Sequence, residues 1–149
     1  MEFSKLQEKI SYLKENGVTV SEVPCKDPHL LQSLERMFGI ELPEPVRQFY
    51  SHYEYLQIGP FEFTWARNLP ELVPKLRREF HIPKNYLPIL WDGMGGYYHA
   101  VCAEAGALRP ENYGSVVQRP AVSGKTVEFD CGEFLEFVLS RAEIAGDDV

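Results

Sequence analysis

His99 and Cys102 are the first residues here whose types could do chemistry together, since an imidazole base can activate a thiol nucleophile. They sit in the run from Tyr97 to Ala103, whose aromatic and branched residues read as a strand. Their separation is odd, so on one strand they point to opposite faces of the sheet. A buried cysteine and a satisfied strand histidine account for the pair better than a catalytic dyad. Metal chemistry fares no better. Cys25, Cys102 and Cys131, with His29, His52, His81 and His99, lack the paired close spacings from which zinc sites are built. Asp92-Gly93-Met94-Gly95-Gly96 has the glycines of a phosphate loop but no Lys-Ser/Thr, and it leads into a strand rather than a helix. A hairpin turn using glycine freedom is the reading. Glu41 with Glu44, or Glu54 near Asp92, could serve general acid–base chemistry only if the fold gathers them in a cleft; an acidic contact rim uses the same residues. No catalytic residue, no metal ligand and no cofactor is expected, and the chain is read as not an enzyme.

The element that must position these residues is the hairpin of Tyr86 to Ala103. Leu87 to Trp91 and Tyr97 to Ala103 flank the Asp92–Gly96 turn. If Trp91 and Tyr97 close the loop, Leu87, Ile89, Trp91, Tyr97, His99 and Val101 share one face, and Leu90, Tyr98, Ala100 and Cys102 the other. Both faces are apolar, which places the hairpin centrally in a sheet. Before it, Phe3, Leu6, Ile10 and Leu13 recur at helical spacing, with Ser4 and Gln7 as a capping box and Gly17 as a stop. Val18 to Val23 alternates, as a short strand or an extended linker. Asp27-Pro28 predicts a helix start and Gly39 its end, around Leu30, Leu31, Leu34, Met37 and Phe38. A third helix is expected over Glu44 to Tyr53, with Val46, Phe49, Tyr50 and Tyr53 on its buried stripe.

Ile58 to Trp65 alternates as a strand that Pro60 demotes at its start. Asn68 predicts a cap for a helix over Pro70 to Phe80, which Pro74 could split and whose exposed side carries Lys75, Arg77 and Arg78. Ser115 to Gln118 and Thr126 to Phe129 read as strands around a Ser123-Gly124 turn. Asp130 with Glu133 is a capping box for a last helix with Phe134, Phe137, Val138 and Arg141, and residues 143–149 read as a frayed acidic tail. Helices, then strands, then a helix is the order of an α+β domain: a mainly antiparallel central sheet with N-terminal helices and a C-terminal helix packed against it. The expectation is a single domain over residues 1–149, with 1–26 as an N-terminal extension.

The net charge of −7 disfavours nucleic acid and favours basic partners by steering. No basic stripe or nucleic-acid motif is present. Three cysteines without a CxxC fit free thiols in a reducing compartment. Charged residues interrupt any signal core at the N-terminus, and no apolar run approaches a membrane span. The expected location is the cytoplasm. Nine Phe, two Trp and eight Tyr are more aromatics than a small core needs, which leaves some for a contact surface.

Several segments, in order, resemble the SUKH superfamily, the Smi/Knr-type fold. Phe38-Gly39-Ile40 and Glu41-Leu42-Pro43, followed by the helix of Val46, Phe49 and Tyr50, look like its leucine-proline step between two helices. Ile82-Pro83-Lys84-Asn85-Tyr86-Leu87-Pro88-Ile89, running into Trp91-Asp92-Gly93 and Gly95-Gly96-Tyr97, is similar to its proline-containing strand, Asp-Gly turn and aromatic return strand. Gly114-Ser115-Val116-Val117 and the Phe134–Phe137 helix complete a match over about residues 27–140. The resemblance implies a non-catalytic binding fold. Bacterial members are typically immunity proteins that hold and neutralise a cognate antibacterial toxin domain, and eukaryotic relatives act as regulatory or scaffold modules. The partner implied is therefore a toxin domain, with a basic nuclease-type toxin as the charge-complementary case, and a regulatory module as the alternative. The residues expected at that contact are Glu54, Tyr55, Asp92, Tyr98 and Glu104, on a surface near the hairpin turn and a Glu54–Tyr55 loop.

Overall fold

Leu6, Ile10 and Leu13 fall on one side of a helix, and burying that side fixes the first element, α1 (Phe3–Glu15). The computed structural model describes residues 3–63, 65–92, 96–106, 110–121 and 127–147, with the side chains of Trp91 and Asp92 outside that description. Gly93, Met94 and Gly95 of the glycine-rich turn, Thr64, and the Ser123-Gly124 turn with Thr126 likewise lie outside the described residues. Four more helices follow: α2 (Leu30–Phe38), α3 (Glu44–His52), α4 (Leu69–Phe80) and α5 (Phe134–Asp147). Seven strands form one antiparallel sheet, in the order β1 (Val20–Pro24), β3 (Tyr53–Ile58), β4 (Phe61–Phe63), β5 (Tyr86–Asp92), β6 (Tyr97–Cys102), β8 (Ser115–Pro120), β9 (Phe129–Glu133). Two short strands, β2 (Ile40–Glu41) and β7 (Glu104–Ala105), pair separately. The protein is an α+β fold with N-terminal and C-terminal helices packed against an antiparallel sheet.

The segment expected as an extension is built into the domain from Phe3 on: β1 pairs with β3 at the sheet edge, and α1 buries its stripe in the main core. The expected frayed tail is instead the end of α5, where Ala145 is buried in the same core; Asp148 and Val149 lie outside the described residues. Around Phe49, rings of Tyr50, Tyr53, Phe63 and Phe134 pack at centroid distances of 5.1–5.8 Å. Edge-on contacts of this kind add to burial because the ring edge is electropositive and the face electronegative.

Helix ends differ in detail from the sequence expectation. Ser4 lies inside α1 rather than capping it. The Asp27 carboxylate accepts from His29 N–H at 2.9 Å in a turn that precedes α2, so Asp27-Pro28 nucleates the approach and not the helix itself. Gly39 ends α2 at φ 64, a conformation open to glycine at no Cβ cost, and its N–H reaches the Glu35 carbonyl. Asn68 makes no side-chain cap bond, because a 3-10 turn (Ala66–Asn68) runs directly into α4. Pro74 does not split α4; it lies on the exposed side, where water can stand in for the lost donor. The cap of α5 is Glu133, which accepts from Leu135 N–H and Glu136 N–H at 3.1 Å each, while Asp130 turns back to Gly132 N–H at 2.8 Å within β9.

Two strand readings change. Tyr53 to Ile58 is β3, not the end of α3 and a loop, and the expected strand from Ile58 to Trp65 is shortened to β4. The central hairpin carries a bulge between Pro88 and Leu90, so Leu90 faces His99, Trp91 faces Tyr98 and Asp92 faces Tyr97. The extra residue puts Ile89 and Leu90 into the same core, and Leu90 leaves the face it was expected to share with Tyr98.

Candidate binding surface

Strand alternation divides this sheet into two unlike faces. One face sends Leu56, Ile58, Phe63, Leu87, Ile89, Val101 and Val116 into the core under α1, α3 and α5. On the other face, over the middle of the sheet, Tyr86, Tyr98, Ala100, Cys102 and Val117 pack with Leu76 of α4. Beyond α4, the same face over β1, β3 and β4 changes character. The registers Ser21↔Gln57, Val23↔Tyr55 and Gln57↔Glu62 place these five side chains side by side, and none of them belongs to either apolar cluster.

The centre of this region is an aromatic pair. Trp65 stacks on Tyr55 with ring centroids 4.1 Å apart and an interplanar angle of 15°. The Tyr55 hydroxyl is 3.2 Å from Gln57 Oε1, and burial, then the Glu62 carboxylate, push its pKa up to about 12. It therefore stays a neutral hydroxyl at any physiological pH. Next to the pair, a groove of about 490 Å³ runs between β4 and α4, lined by Glu62, Phe63, Trp65, Asn68, Glu71, Leu72 and Lys75. Two carboxylates, one ammonium, an amide, an indole and the Leu72 side chain give it a net negative, partly aromatic lining, while the Phe63 ring turns away into the core.

Of the residues expected at a contact, Tyr55 borders this groove, but only 8% of it is exposed, because Trp65 covers its ring. Glu54 is equally buried and is held bidentate by Arg67, with Nε to Oε1 at 2.7 Å and Nη2 to Oε2 at 2.9 Å. A carboxylate so engaged is a positioning group for the Arg67 turn rather than a free contact. Tyr98 is fully buried in the second apolar cluster, which removes it from any contact surface. One residue from His99 on β6, it faces the opposite side of the sheet, beneath α4. Glu104 lies in β7 opposite Glu41, on the small two-stranded ladder. The Asp92 side chain lies outside the described residues, but the backbone register decides its distance from Glu54. Phe63 pairs with Leu90, so the Asp92 end of β5 lies toward the β3–β4 turn, whereas Glu54 opens β3 at the other end. The structure does not gather the five.

Trp65, Glu62, Glu71 and Lys75 are the residues that sequence reasoning missed. Trp65 reads as the end of a strand from Ile58, continuing the Phe61, Phe63 alternation, but β4 stops at Phe63 and a 3-10 turn follows at Ala66–Asn68. The expected basic face of α4 also breaks up. Arg77 donates from Nη2 to the Lys84 carbonyl at 2.7 Å and lies over the Phe38 ring, and burial lowers its pKa.

The residues with catalytic types are held apart. His99 packs against the Phe137 ring of α5 at 5.0 Å, while Cys102 lies on the opposite face in the second cluster. Burial above all pushes the Cys102 thiol up to about 12, far from a reactive thiolate. Tyr86 donates to Glu128 Oε2 at 2.7 Å, and burial followed by that bond raises its pKa. Among the described residues, no three His, Cys, Asp or Glu side chains converge as a metal would need, and no helix is long and apolar enough to cross a membrane.

A comparison with models of known protein families returned no match, and a comparison with curated proteins returned none.

Proposed function

We propose that this chain is a cytoplasmic protein-binding module of the SUKH type, an immunity protein that holds a basic toxin domain and keeps it from its substrate. The observation that carries this reading is the acidic, indole-lined groove between β4 and α4, beside the Tyr55–Trp65 stack. Interfaces draw their affinity from a few aromatic anchors in partly desolvated settings, and their on-rate from complementary charge. Trp65 supplies such an anchor, and the net charge of −7 supplies the steering field for a cationic partner. The resemblance of the leucine-proline step, the Asp92 turn and the closing helix to the SUKH superfamily supports the same class. The expected binding residues move accordingly from Tyr98 and Glu104 to Trp65, Glu62 and Glu71, with Tyr55 as the support of the indole.

The test is capture followed by genetics. The immobilised protein is presented with lysate of its source cell at low and moderate salt, and the retained partner is expressed alone and with this chain. A partner that is lethal alone and harmless with the wild-type chain, but lethal again with Trp65→Ala, is the expected result. A benign partner would replace immunity with the regulatory reading of the same fold. A partner bound equally well by Trp65→Ala and Glu71→Lys would overturn the choice of surface.

A further inference from the structure

The geometry of the β4–α4 groove points to a receptor for one arginine side chain, presented by the protein that the module binds; the inference rests on the binding reading above and makes it chemically specific. Trp65 has one ring face covered by Tyr55, at 4.1 Å and nearly parallel, so the indole surface that lines the groove is not the stacked one. A stacked pair presents its outer face in a fixed orientation, and a guanidinium laid on an indole gains both cation–π attraction and flat contact. Glu62 on β4 and Glu71 on α4 put carboxylates on the strand wall and the helix wall of the same groove. Leu72 offers apolar contact for the methylene stem, and the Asn68 side chain offers an amide oxygen to a remaining N–H.

Other occupants fit less well. An anion meets two carboxylates, and a purely apolar side chain leaves both of them desolvated without a partner. Lysine brings the charge but not the plane, and it is more strongly hydrated than a guanidinium. Lys75, four residues after Glu71 on α4, is the one cation in the lining among the described residues. At that spacing it lies beside Glu71 and competes with an incoming guanidinium for the carboxylate. Its removal should therefore tighten binding, an effect opposite to that of losing any other polar residue in the groove.

The experiment titrates the ¹⁵N-labelled wild-type protein with blocked Gly-Arg-Gly, Gly-Lys-Gly and Gly-citrulline-Gly peptides and follows the two indole N–H signals. Arginine peptide should move the Trp65 signal at millimolar concentration, with the neutral citrulline isostere about tenfold weaker or more, as loss of a charged partner at a recognition site implies. Glu71→Gln should weaken the arginine response roughly fivefold and Lys75→Gln should strengthen it by a few-fold. Glu8→Gln, an exposed acid on α1, should leave it unchanged. A Trp65 signal unmoved by arginine, or moved equally by citrulline, overturns the inference. The two proposals fail separately. A toxic partner held equally well by Trp65→Ala removes the arginine site and leaves immunity standing. An arginine response at Trp65 with no toxic partner keeps the site and removes immunity.

Discussion

Phe134 and Trp65 are both large aromatics next to the sheet, yet they belong to regions built on different terms. Phe134 is fully buried on the helix-covered face, edge-on to Phe49 with centroids 5.3 Å apart at 90°. Trp65 lies beside α4 on the opposite face, partly buried, supported by one tyrosine and bordered by carboxylates. The first region is closed on all sides and earns stability from it. The second keeps apolar surface next to charge and leaves it accessible, which is the arrangement of a surface that waits for a partner.

The sharpest way to break this contrast is to truncate both rings. Phe134→Ala should cost about 3–5 kcal/mol of unfolding free energy, through lost transfer energy and an unfilled cavity. Urea denaturation measures it, and a loss below about 1 kcal/mol would mean that the covered face is not the closed core described. Alkaline titration comes next. Tyr53, Tyr55 and Tyr98 are pushed up to about 12, in each case mainly by burial, whereas an unfolded phenol ionises near about 10. Below about pH 10 both states keep these protons and the stabilisation is complete; from there toward 12 the unfolded chain releases protons that the fold retains. Stability should therefore fall as pH rises through that window. Urea midpoints that hold steady from pH 9 to 11.5 would contradict the burial of all three.

Smaller effects sharpen the picture. Glu133→Ala removes the acceptor of two N–H groups at the start of α5, and should cost about 0.5–2 kcal/mol, as cap losses do. Asp130→Ala, the residue that sequence spacing favoured as the cap, should cost less, and the reverse order would restore the earlier assignment. Trp65→Ala should be mildest for stability, about 0.5–1.5 kcal/mol for the lost stack. An equal loss for Trp65 and Phe134 in thermal melts would erase the distinction between the two regions.

The α+β order was legible because helical stripes such as Leu6, Ile10 and Leu13 and alternating runs such as Ser115 to Gln118 each bury one side, and burial is what periodicity encodes. β3 was not legible as a strand, since Tyr53 stands one helical step beyond Phe49 and continues the stripe of α3. The bulge at Ile89 had one compositional mark, Pro88, because a proline inside a central strand is tolerated at a bulge, but that mark did not give the new register, which moved Leu90 across the sheet. In the binding surface, Tyr55 was legible as an unusual aromatic beside an acid. Tyr98 looked equivalent, and only packing under α4 separates them. The groove residues all lie within positions 62–75, so the signal was local, but it depended on α4 folding back beside the strand that precedes it. Strand composition says nothing of that return path.

The packing of α1 against α5 has a consequence for synthesis. Gly146 of α5 sits so close to α1 that a Cβ there would lie 2.9 Å from Leu13 Cδ2. Residues more than 130 positions apart in the chain thus meet side by side. During translation, α1 emerges well before α5 and has no α5 to close over it. Its Leu6, Ile10 and Leu13 stripe is not fully covered, and stays partly open to chaperones, until α5 has been made. Gly146→Ala would thus act late: it would hinder the closing of α5 against α1 after the elements between them have been made.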